Sequence, residues 1–261
     1  MTFVPADILD ETLAVVREAG AIILEQWDRP SSITLKGRID LVTETDVAVE
    51  EFLKQKLRGV LPEAGFMAEE SAGDAPLGEL TWIIDPVDGT TNFAHRIPLV
   101  ATSVGLWHCG KMVMGVVNAP VLRECFHAVR GGGAFVNGRS IRVSGTSVLE
   151  HALVATGFPY TIREDVEEVL HWLSRSLVTT RGVRRGGSAA IDLAFVAAGR
   201  YDAYYEIGLR PWDTSAGWLL VEEAGGRMTQ LDTNESFNLF ARGVLASNGP
   251  LHDPLYALLK G

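Results

Sequence analysis

Residues 82–95 read WIIDPVDGTTNFAH, an apolar run that leads into Asp85 and Asp88 and then into a turn and the start of a helix. A strand end delivers side chains to one point, and Pro86 and Gly89 predict a tight turn around that point. Backbone N–H groups in the first helical turn have no partners within the helix, so they can face an anion. Two acids beside an anion site would repel the anion unless cations intervened. The stretch therefore indicates a site for divalent, oxygen-bound ions, with Mg²⁺ as the leading candidate.

A solvated turn is the alternative, because Asp, Pro and Gly are the usual turn-forming residues. Two more acidic positions favour the metal site. Glu69 follows an apolar segment that is predicted to end a neighbouring strand, and Asp213 precedes a helix that is predicted over 215–224. Each carboxylate would lie at the boundary of a regular element, where the backbone can hold it still.

The chain resembles the inositol monophosphatase family of Mg²⁺-dependent, lithium-sensitive sugar phosphatases. DPVDGTTNF, which begins at Asp85, is similar to the first family motif, and WDTSAGWLLVEEAGG, which begins at Trp212, is similar to the second. The likeness runs in the expected order from about residue 36 to residue 226. Shorter matches are LVTETD ending at Asp46, AEES around Glu69, TGFPY at 156–160 and GSAA from Gly187.

The resemblance implies a set of metal ligands. Four carboxylates and a dianionic phosphate would repel one another in one pocket, and about three divalent cations would balance these roughly six negative charges. We therefore expect two to three Mg²⁺ ions. Without them, mutual repulsion would raise the pKa values of the acids. The implied ligands are the carboxylates of Glu69, Asp85, Asp88 and Asp213 and the backbone carbonyl of Val87.

The expected reaction is hydrolysis of a phosphate monoester by a metal-activated water that attacks in line with the leaving alkoxide. The resemblance implies that Glu69 and Thr90 position this water and that Asp46 and Thr90 form the proton-accepting pair. Asp46 is also predicted as the N-cap of a helix over 46–61, a role that is compatible with catalysis.

Substrate contacts follow from the resemblance as well. Glu206 would bond a sugar hydroxyl, and the less favoured alternative is an ordinary exposed residue at a strand end. Ser188 could cap a helix over 189–198. Arg184 and Arg185 could attract phosphate or form surface salt bridges. The implied substrate-binding residues are Gly89, Thr90, Gly187, Ser188, Ala189, Glu206 and Asp213.

Haloacid-dehalogenase-like phosphatases offer a different chemistry, because their D-x-D-G-T motif supplies an aspartate nucleophile. Here two residues separate Asp85 from Asp88, so a regular strand would place the acids on different faces. The motif also lies well inside the chain. Both observations favour attack by water over an aspartyl-phosphate intermediate.

Composition limits the number of domains, the kinds of partner and the cellular location that we expect. The 261 residues, of which 47% are hydrophobic, suffice for one large domain or two small ones. The net charge of −10 argues against a direct, nonspecific grip on nucleic acid. The sequence has no apolar run of about 18 residues, and its start, MTFVP, lacks a basic and apolar leader. Cys109 and Cys125 form no C-x-x-C pair, so we expect reduced core thiols in a cytoplasmic protein.

The order of elements predicts two halves. Residues 1–147 form an α+β half that carries most of the metal ligands, and residues 148–261 form an α/β half that carries Asp213 and the substrate contacts. Gly131-Gly132-Gly133 is predicted to be a hairpin turn between strands.

The resemblance implies an αβαβα sandwich of the inositol monophosphatase and fructose-1,6-bisphosphatase type, and a homodimer. The predicted helices are 7–27, 46–61, 163–177, 189–198 and 214–224, and the predicted strands lie near 82, at 100–107, 112–118, 124–130 and 134–143, near 153, and at 201–206.

The leading hypothesis for function is the hydrolysis of inositol 1-phosphate, with inhibition by lithium implied by the resemblance. Alternatives within the enzymes are histidinol phosphate, fructose 1,6-bisphosphate and nucleotide phosphates. An alternative of another class is a regulatory or binding protein in which catalysis is secondary.

Overall fold

Helices and sheets of the chain alternate in layers. The computed structural model describes residues 5–29, 33–35, 41–71 and 77–261. Within these residues the α-helices are α1 (Leu9–Gln26), α2 (Glu44–Val60), α3 (Thr90–Ala94), α4 (Ile162–Thr179), α5 (Ala189–Ala197), α6 (Pro211–Glu223) and α7 (His252–Lys260). The strands are β1 (Ile33–Leu35), β2 (Leu41–Thr43), β3 (Gly65–Ala68), β4 (Leu80–Asp88), β5 (Ala101–His108), β6 (Lys111–Ala119), β7 (Glu124–Val129), β8 (Gly133–Val136), β9 (Arg139–Ile141), β10 (Leu153–Thr156), β11 (Gly182–Arg184), β12 (Ala203–Ile207), β13 (Arg227–Gln230) and β14 (Gly243–Ser247).

The layer order is that of an αβαβα sandwich, as predicted. The larger sheet has the strand order β3-β4-β5-β6-β7-β8-β9, and the smaller sheet has the order β11-β10-β12-β14-β13. Helices α1 and α2 pack on the outer face of the larger sheet, α5 and α6 lie between the sheets, and α4 and α7 cover the smaller sheet. In the larger sheet β3 and β4 are parallel, and the pairs from β4 to β9 are antiparallel.

Helix α6 approaches the larger sheet unusually closely. A Cβ at Gly115 on β6 would lie 2.6 Å from the carbonyl oxygen of Ala216, and a Cβ at Gly105 on β5 would lie 2.6 Å from Ser215 Oγ. Gly115 therefore admits the backbone of α6, and Gly105 admits the side chain of Ser215. This close packing fixes the N-terminal end of α6, and with it Asp213, against the sheet that carries Asp85.

One apolar layer joins the two predicted halves. The cluster between the sheets contains Phe126 from the first half and Leu193, Tyr204 and Leu219 from the second. Glu223 on α6 adds polar links, because its carboxylate accepts hydrogen bonds from the backbone N–H groups in the glycine turn, at 2.8 and 2.9 Å. That turn joins β7 to β8, as predicted. The division at residue 147 stays a prediction.

Two sequence predictions fail at hairpin turns. The single strand predicted over 134–143 is two strands, because Asn137 and Gly138 adopt positive φ angles of 49° and 77° between β8 and β9. Such Asn-Gly turns suit a tight hairpin. Cys109 is exposed instead of lying in the core, because it occupies the turn between β5 and β6, whereas Cys125 is buried.

No helix in the described residues is long and apolar enough to cross a bilayer.

Candidate metal and phosphate site

A β-bulge brings the two motif aspartates to the same side of β4. Asp85 pairs with Ser103 and Asp88 pairs with Ala101, so β4 advances three residues where β5 advances two. In a regular strand, side chains three residues apart face opposite sides, and one extra residue restores a common side. The expectation of different faces is therefore wrong. The strand also continues through Pro86, so the predicted tight turn begins only at Gly89.

Gly89 lies between β4 and α3, as the N-cap of α3, in a left-handed conformation. Its φ is 93°, and a Cβ there would lie 2.8 Å from the carbonyl oxygen of Leu99 and 3.2 Å from that of Gly187. A side chain would meet both backbone strain and steric overlap. Glycine thus brings the end of the first motif into contact with the loop before α5.

Gly89→Ala should lower the free energy of unfolding by about 3 kcal/mol, since it combines left-handed strain with overlap against backbone atoms. Gly110→Ala is the matched control. Gly110 has a φ of 85°, and a Cβ at this position would have no neighbouring atom within 4 Å, so strain alone should cost about 1 kcal/mol. Urea unfolding of both variants measures the difference, and equal losses would show that the approach to Leu99 carries no cost.

Asp213 lies inside the first turn of α6 and does not precede the helix. Pro211 begins α6, and Asp213 Oδ2 accepts a hydrogen bond from the backbone N–H of Arg210 at 2.6 Å. The sequence prediction placed the helix start too late because Pro at the first helical position is compatible with a helix. Ser103 Oγ on β5 donates to the carbonyl oxygen of Trp212 at 3.1 Å, which ties the start of α6 to the sheet.

Three carboxylates converge where β4 ends and α6 begins. Asp85, Asp88 and Asp213 each offer an oxygen, and these oxygens lie within 4.8 Å of one another. Asp85 and Asp88 are buried, with exposed fractions of 2% and 8%, and Asp213 is half-buried. Ionised carboxylates gathered in this way are costly to bury without a counter-charge. The donor set is all oxygen and fits a hard divalent cation such as Mg²⁺.

The pKa values of the cluster show the electrostatic cost. Burial, followed by repulsion from Glu69 and Asp88, holds the pKa of Asp85 well above its usual range. Burial also raises the pKa of Asp88 to about 6, although hydrogen bonds from α5 lower it in part. Burial and then the charge of Asp88 raise the pKa of Asp213 well above its usual value.

Glu69 and Val87 lie beside this cluster. Glu69 directly follows β3, which pairs with β4, and its backbone N–H donates to the carbonyl oxygen of Ile84 at 3.1 Å. Its side chain is half-buried and raises the pKa values of Asp85 and Asp213 after the effect of burial. The buried Val87 accepts a hydrogen bond on its carbonyl oxygen from the hydroxyl of Thr90.

Asp46 and Thr90 are in direct contact. Thr90 Oγ1 donates to Asp46 Oδ1 at 3.0 Å and also lies 3.1 Å from the carbonyl oxygen of Val87. The prediction of Asp46 as an N-cap is wrong, because Thr43 caps α2 and Asp46 is the third helical residue of a capping box. The backbone N–H of Thr43 donates to Asp46 Oδ2 at 2.9 Å. Burial raises the pKa of Asp46, and the bonds from Thr43 and Thr90 oppose that effect.

The N-terminus of α5 is bound to Asp88. Ser188 caps α5, as predicted, because its Oγ accepts a hydrogen bond from the backbone N–H of Ile191 at 3.3 Å. The same hydroxyl donates to Asp88 Oδ2 at 2.5 Å, and the backbone N–H of Ala190 donates to that oxygen at 2.7 Å. Gly187 and Ala189 lie in the same segment. This contact joins the helix layer between the sheets to the acidic cluster.

Glu206 lies half-buried at the end of β12. Burial raises its pKa to about 7, whereas the bond from Tyr204 and the charge of Arg185 lower it. The salt bridges considered for Arg184 and Arg185 do not form with any acid in the described part of the chain. Arg184 donates to the carbonyl oxygen of Val183 at 3.1 Å, and Arg185 lies over the ring of Phe158 at 5.5 Å.

Comparison with known proteins decides the family. The sequence profile described as the inositol monophosphatase family matches residues 6–260.

The chain belongs to the inositol monophosphatase family.

It is 42% identical over 238 residues to the Nus factor SuhB of Pseudomonas aeruginosa, covering 88% of each chain. It is 37% identical over 255 residues to the fructose-1,6-bisphosphatase/inositol-1-monophosphatase of Thermotoga maritima, covering 97% of this chain and 96% of that one. Among solved structures, the extragenic suppressor protein suhB of Bartonella henselae superposes with a TM-score of 0.92 at 36% identity, over 97% of this chain and 98% of the other. The protein is thus an inositol monophosphatase family phosphatase.

Sequence reasoning missed two buried polar residues, Asn92 and Asp192. Asn92 Nδ2 donates to the carbonyl oxygens of Leu99 and Gly186 at 2.8 and 2.9 Å, and so braces α3 against the loop before α5. The sequence signal for this role is the side-chain amide of Asn92 within the short helical stretch TTNFA. Asp192 on α5 is buried, and its Oδ1 has no hydrogen-bond partner. The sequence shows that Asp192 is the single acidic residue of an apolar helix, but it does not show which residues surround the side chain in the fold.

Proposed function

We propose that the protein hydrolyses phosphate monoesters of small polyols in a Mg²⁺-dependent reaction, with inositol 1-phosphate as the leading substrate. The observation that carries this proposal is the convergence of three carboxylates from β4 and α6 within 4.8 Å. Carboxylate oxygens are the ligands that Mg²⁺ prefers in proteins. The membership of the chain in the inositol monophosphatase family supports the same chemistry.

Asp85, Asp88 and Asp213 would hold the first ion, and Glu69 and the carbonyl of Val87 would extend the site to two or three ions. When bound, Mg²⁺ supplies positive charge for the phosphoryl oxygens and lowers the pKa of a coordinated water. Asp88 Oδ2 already accepts two hydrogen bonds from the start of α5. These bonds fix the orientation of its carboxylate, as precise ligand placement requires.

Asp46 and Thr90 would carry the proton of the attacking water. The Thr90 hydroxyl has one proton, and the Asp46 carboxylate is a stronger acceptor for it than the Val87 carbonyl. With that proton directed to Asp46, the Thr90 oxygen can accept a hydrogen bond from water. Thr43 holds the other oxygen of Asp46, so the acceptor is oriented before substrate arrives. Glu69 would help to orient the water. The water oxygen would bond to phosphorus as the bond from phosphorus to the alkoxide breaks, and the alkoxide would leave as the alcohol after taking a proton from solvent.

The remaining predicted contacts would bind substrate. Backbone N–H groups of Gly89 and Thr90, at the start of α3, would face the phosphate. The backbone from Gly187 to Ala189 would line the sugar side, since the Ser188 hydroxyl already donates to Asp88. Glu206 would accept a hydrogen bond from a sugar hydroxyl.

Phosphate release from a panel of esters tests the proposal. The panel is inositol 1-phosphate, fructose 1,6-bisphosphate, histidinol phosphate and a nucleoside monophosphate, each with Mg²⁺ and with EDTA. We expect kcat/KM for inositol 1-phosphate to exceed the others by about ten-fold, the range that a few pocket contacts supply, and to vanish in EDTA. Lithium should inhibit the reaction.

Other outcomes of this assay separate the alternatives. Preference for another ester would change the substrate and keep the chemistry, whereas turnover in EDTA would contradict the metal site. No turnover on any ester would favour a binding role, which the similarity to a protein named as a Nus factor makes the second candidate. A homodimer, a cytoplasmic location and the absence of direct nucleic-acid binding stay predictions.

A further inference from the structure

A buried tyrosine holds the carboxylate on the sugar side of the site. Alternate residues of a strand face opposite sides, so Tyr204 and Glu206 share one face of β12 and Tyr205 takes the other. Tyr204 is fully buried in the apolar layer between the sheets. Its hydroxyl donates a hydrogen bond to Glu206 Oε2. A buried hydroxyl needs such a partner, and here the partner is a carboxylate at the strand end.

Gly157 restrains the same carboxylate from a neighbouring strand. It follows β10, which runs parallel to β12 and pairs Thr156 with Tyr205. A Cβ at Gly157 would overlap both carboxylate oxygens of Glu206. The carboxylate therefore rests on the bare backbone of Gly157 while Tyr204 holds one of its oxygens. Together these two contacts leave the carboxylate little rotational freedom.

Burial and nearby negative charge keep the Tyr204 hydroxyl protonated, so that it donates its hydrogen bond. Burial, followed by the charges of Glu206 and Asp192, holds the pKa of Tyr204 well above its usual range. The hydroxyl thus retains its proton at any working pH. In the described part of the chain, Tyr204 is the one hydrogen-bond donor to the Glu206 carboxylate, which leaves Oε1 available to a ligand.

We propose that Tyr204 is a positioning residue that orients Glu206 to accept a hydrogen bond from a substrate hydroxyl, and so selects hydroxylated phosphate esters. This inference rests on the proposed function, because it assumes that Glu206 faces the sugar. The Tyr204 hydroxyl bonds Glu206, and in the described residues no hydrogen bond joins it to Asp85, Asp88 or Asp213. Its removal should therefore affect the recognition of a polyol and spare the chemistry at phosphorus.

Tyr204→Phe, with Tyr205→Phe as the matched control, tests the proposal. Tyr205 is also buried, but its hydroxyl lies 3.1 Å from Ser176 Oγ on the far side of the sheet. Tyr204→Phe should raise KM for inositol 1-phosphate about ten-fold, as expected for a lost bond to a charged group. With 4-nitrophenyl phosphate, which has no sugar hydroxyl, KM should change less than about two-fold, and kcat should hold for both esters. Tyr205→Phe should change KM by the same factor for the two esters.

A double-mutant cycle assigns the effect to Glu206. In a Glu206→Gln background, Tyr204→Phe should add less than about two-fold to KM for inositol 1-phosphate. Gly157→Ala displaces the Glu206 carboxylate and leaves Tyr204 intact. It should give the same rise in KM for inositol 1-phosphate alone, and it replaces Tyr204→Phe as the test if that variant fails to fold.

Three results would overturn the inference. They are equal losses on both esters, a ten-fold effect that persists in the Glu206→Gln background, and a preference for inositol 1-phosphate that survives Tyr204→Phe. If the unmodified protein shows no preference for inositol 1-phosphate over 4-nitrophenyl phosphate, the proposed substrate fails first and the inference falls with it. A preference that is present in the unmodified protein and unchanged in Tyr204→Phe overturns the role of Tyr204 alone.

Discussion

Asp85→Asn should lower kcat/KM on phosphate esters by on the order of 100- to 1000-fold, the loss typical of a group that stabilises transition-state charge. The same substitution should raise the melting temperature of the metal-free protein. Asp85 is buried among Glu69, Asp88 and Asp213, whose charges oppose its ionisation. Asparagine keeps the volume and the acceptor for the backbone N–H of Val87, which lies 3.0 Å from Asp85 Oδ1. It removes one buried negative charge, so function and stability should move in opposite directions.

The measurement pairs steady-state kinetics in Mg²⁺ with thermal melting in EDTA. Asp202→Asn is the matched control, because Asp202 is a buried acid that accepts hydrogen bonds from Ser144 Oγ at 2.5 Å and from the backbone N–H of Leu153 at 2.7 Å, away from the cluster. That substitution should lower the melting temperature and preserve kcat/KM. Full activity of Asp85→Asn, or a lower melting temperature for its metal-free form, would contradict the assignment of Asp85.

Metal-free protein should lose stability as the pH rises from about 4 to about 6. Burial raises the pKa of Asp88 from the ordinary 3.8 to about 6 in the folded chain. Between these values the folded state binds more protons than the unfolded state, so stability falls with increasing pH. The shift corresponds to roughly 3 kcal/mol from Asp88 at full effect. Asp85 and Asp213, whose pKa values are also raised, extend the loss above pH 6.

Saturating Mg²⁺ should oppose this trend, because metal binding requires deprotonated carboxylates. At one hundred times its dissociation constant, a ligand that binds only the folded state adds about 2.7 kcal/mol. The difference in melting temperature between Mg²⁺ and EDTA should therefore grow from pH 5 to pH 8, and it should shrink in Asp85→Asn. Melting curves at four pH values measure it. A difference that is independent of pH would show that the cluster is not the metal site.

Sequence patterns singled out three acidic residues that converge in the structure, but they did not predict how the backbone presents Asp85 and Asp88. Asp85 and Asp88 stand out because an apolar strand leads into them. The two side chains lie on the same side of β4 because of the bulge, and the bulge arises from the pairing of β4 with Ser103 and Ala101 on β5. Spacing along a single strand contains no information about that partner. The alternation rule therefore gave the wrong faces for Asp85 and Asp88.

Local signals explain two other errors. The Asn137-Gly138 pair is a strong hairpin signal that was available in the sequence and was absorbed into one long strand. Thr43 precedes Asp46 by three residues, the spacing of a capping box, so the true N-cap was also visible. The hydrogen bond between Thr90 and Asp46 lay beyond such signals and came from the family resemblance.

Contacts across the layers could not be read from local pattern. The Glu206 carboxylate meets Gly157 only because β10 and β12 are parallel neighbours. Likewise, Glu223 occupies the glycine turn only because α6 packs on the larger sheet. Both depend on the layer order, which the resemblance implied but which no short segment specifies.

The most direct measurement is anomalous diffraction from a crystal soaked in Mn²⁺, a substitute for Mg²⁺, with phosphatase activity confirmed in the same preparation. We predict an anomalous peak between Asp85, Asp88 and Asp213, with carboxylate oxygens at about 2.0–2.3 Å from its centre. A fully active preparation with no peak at these three residues, or with its strongest peak elsewhere on the chain, would contradict the proposal that they hold the metal.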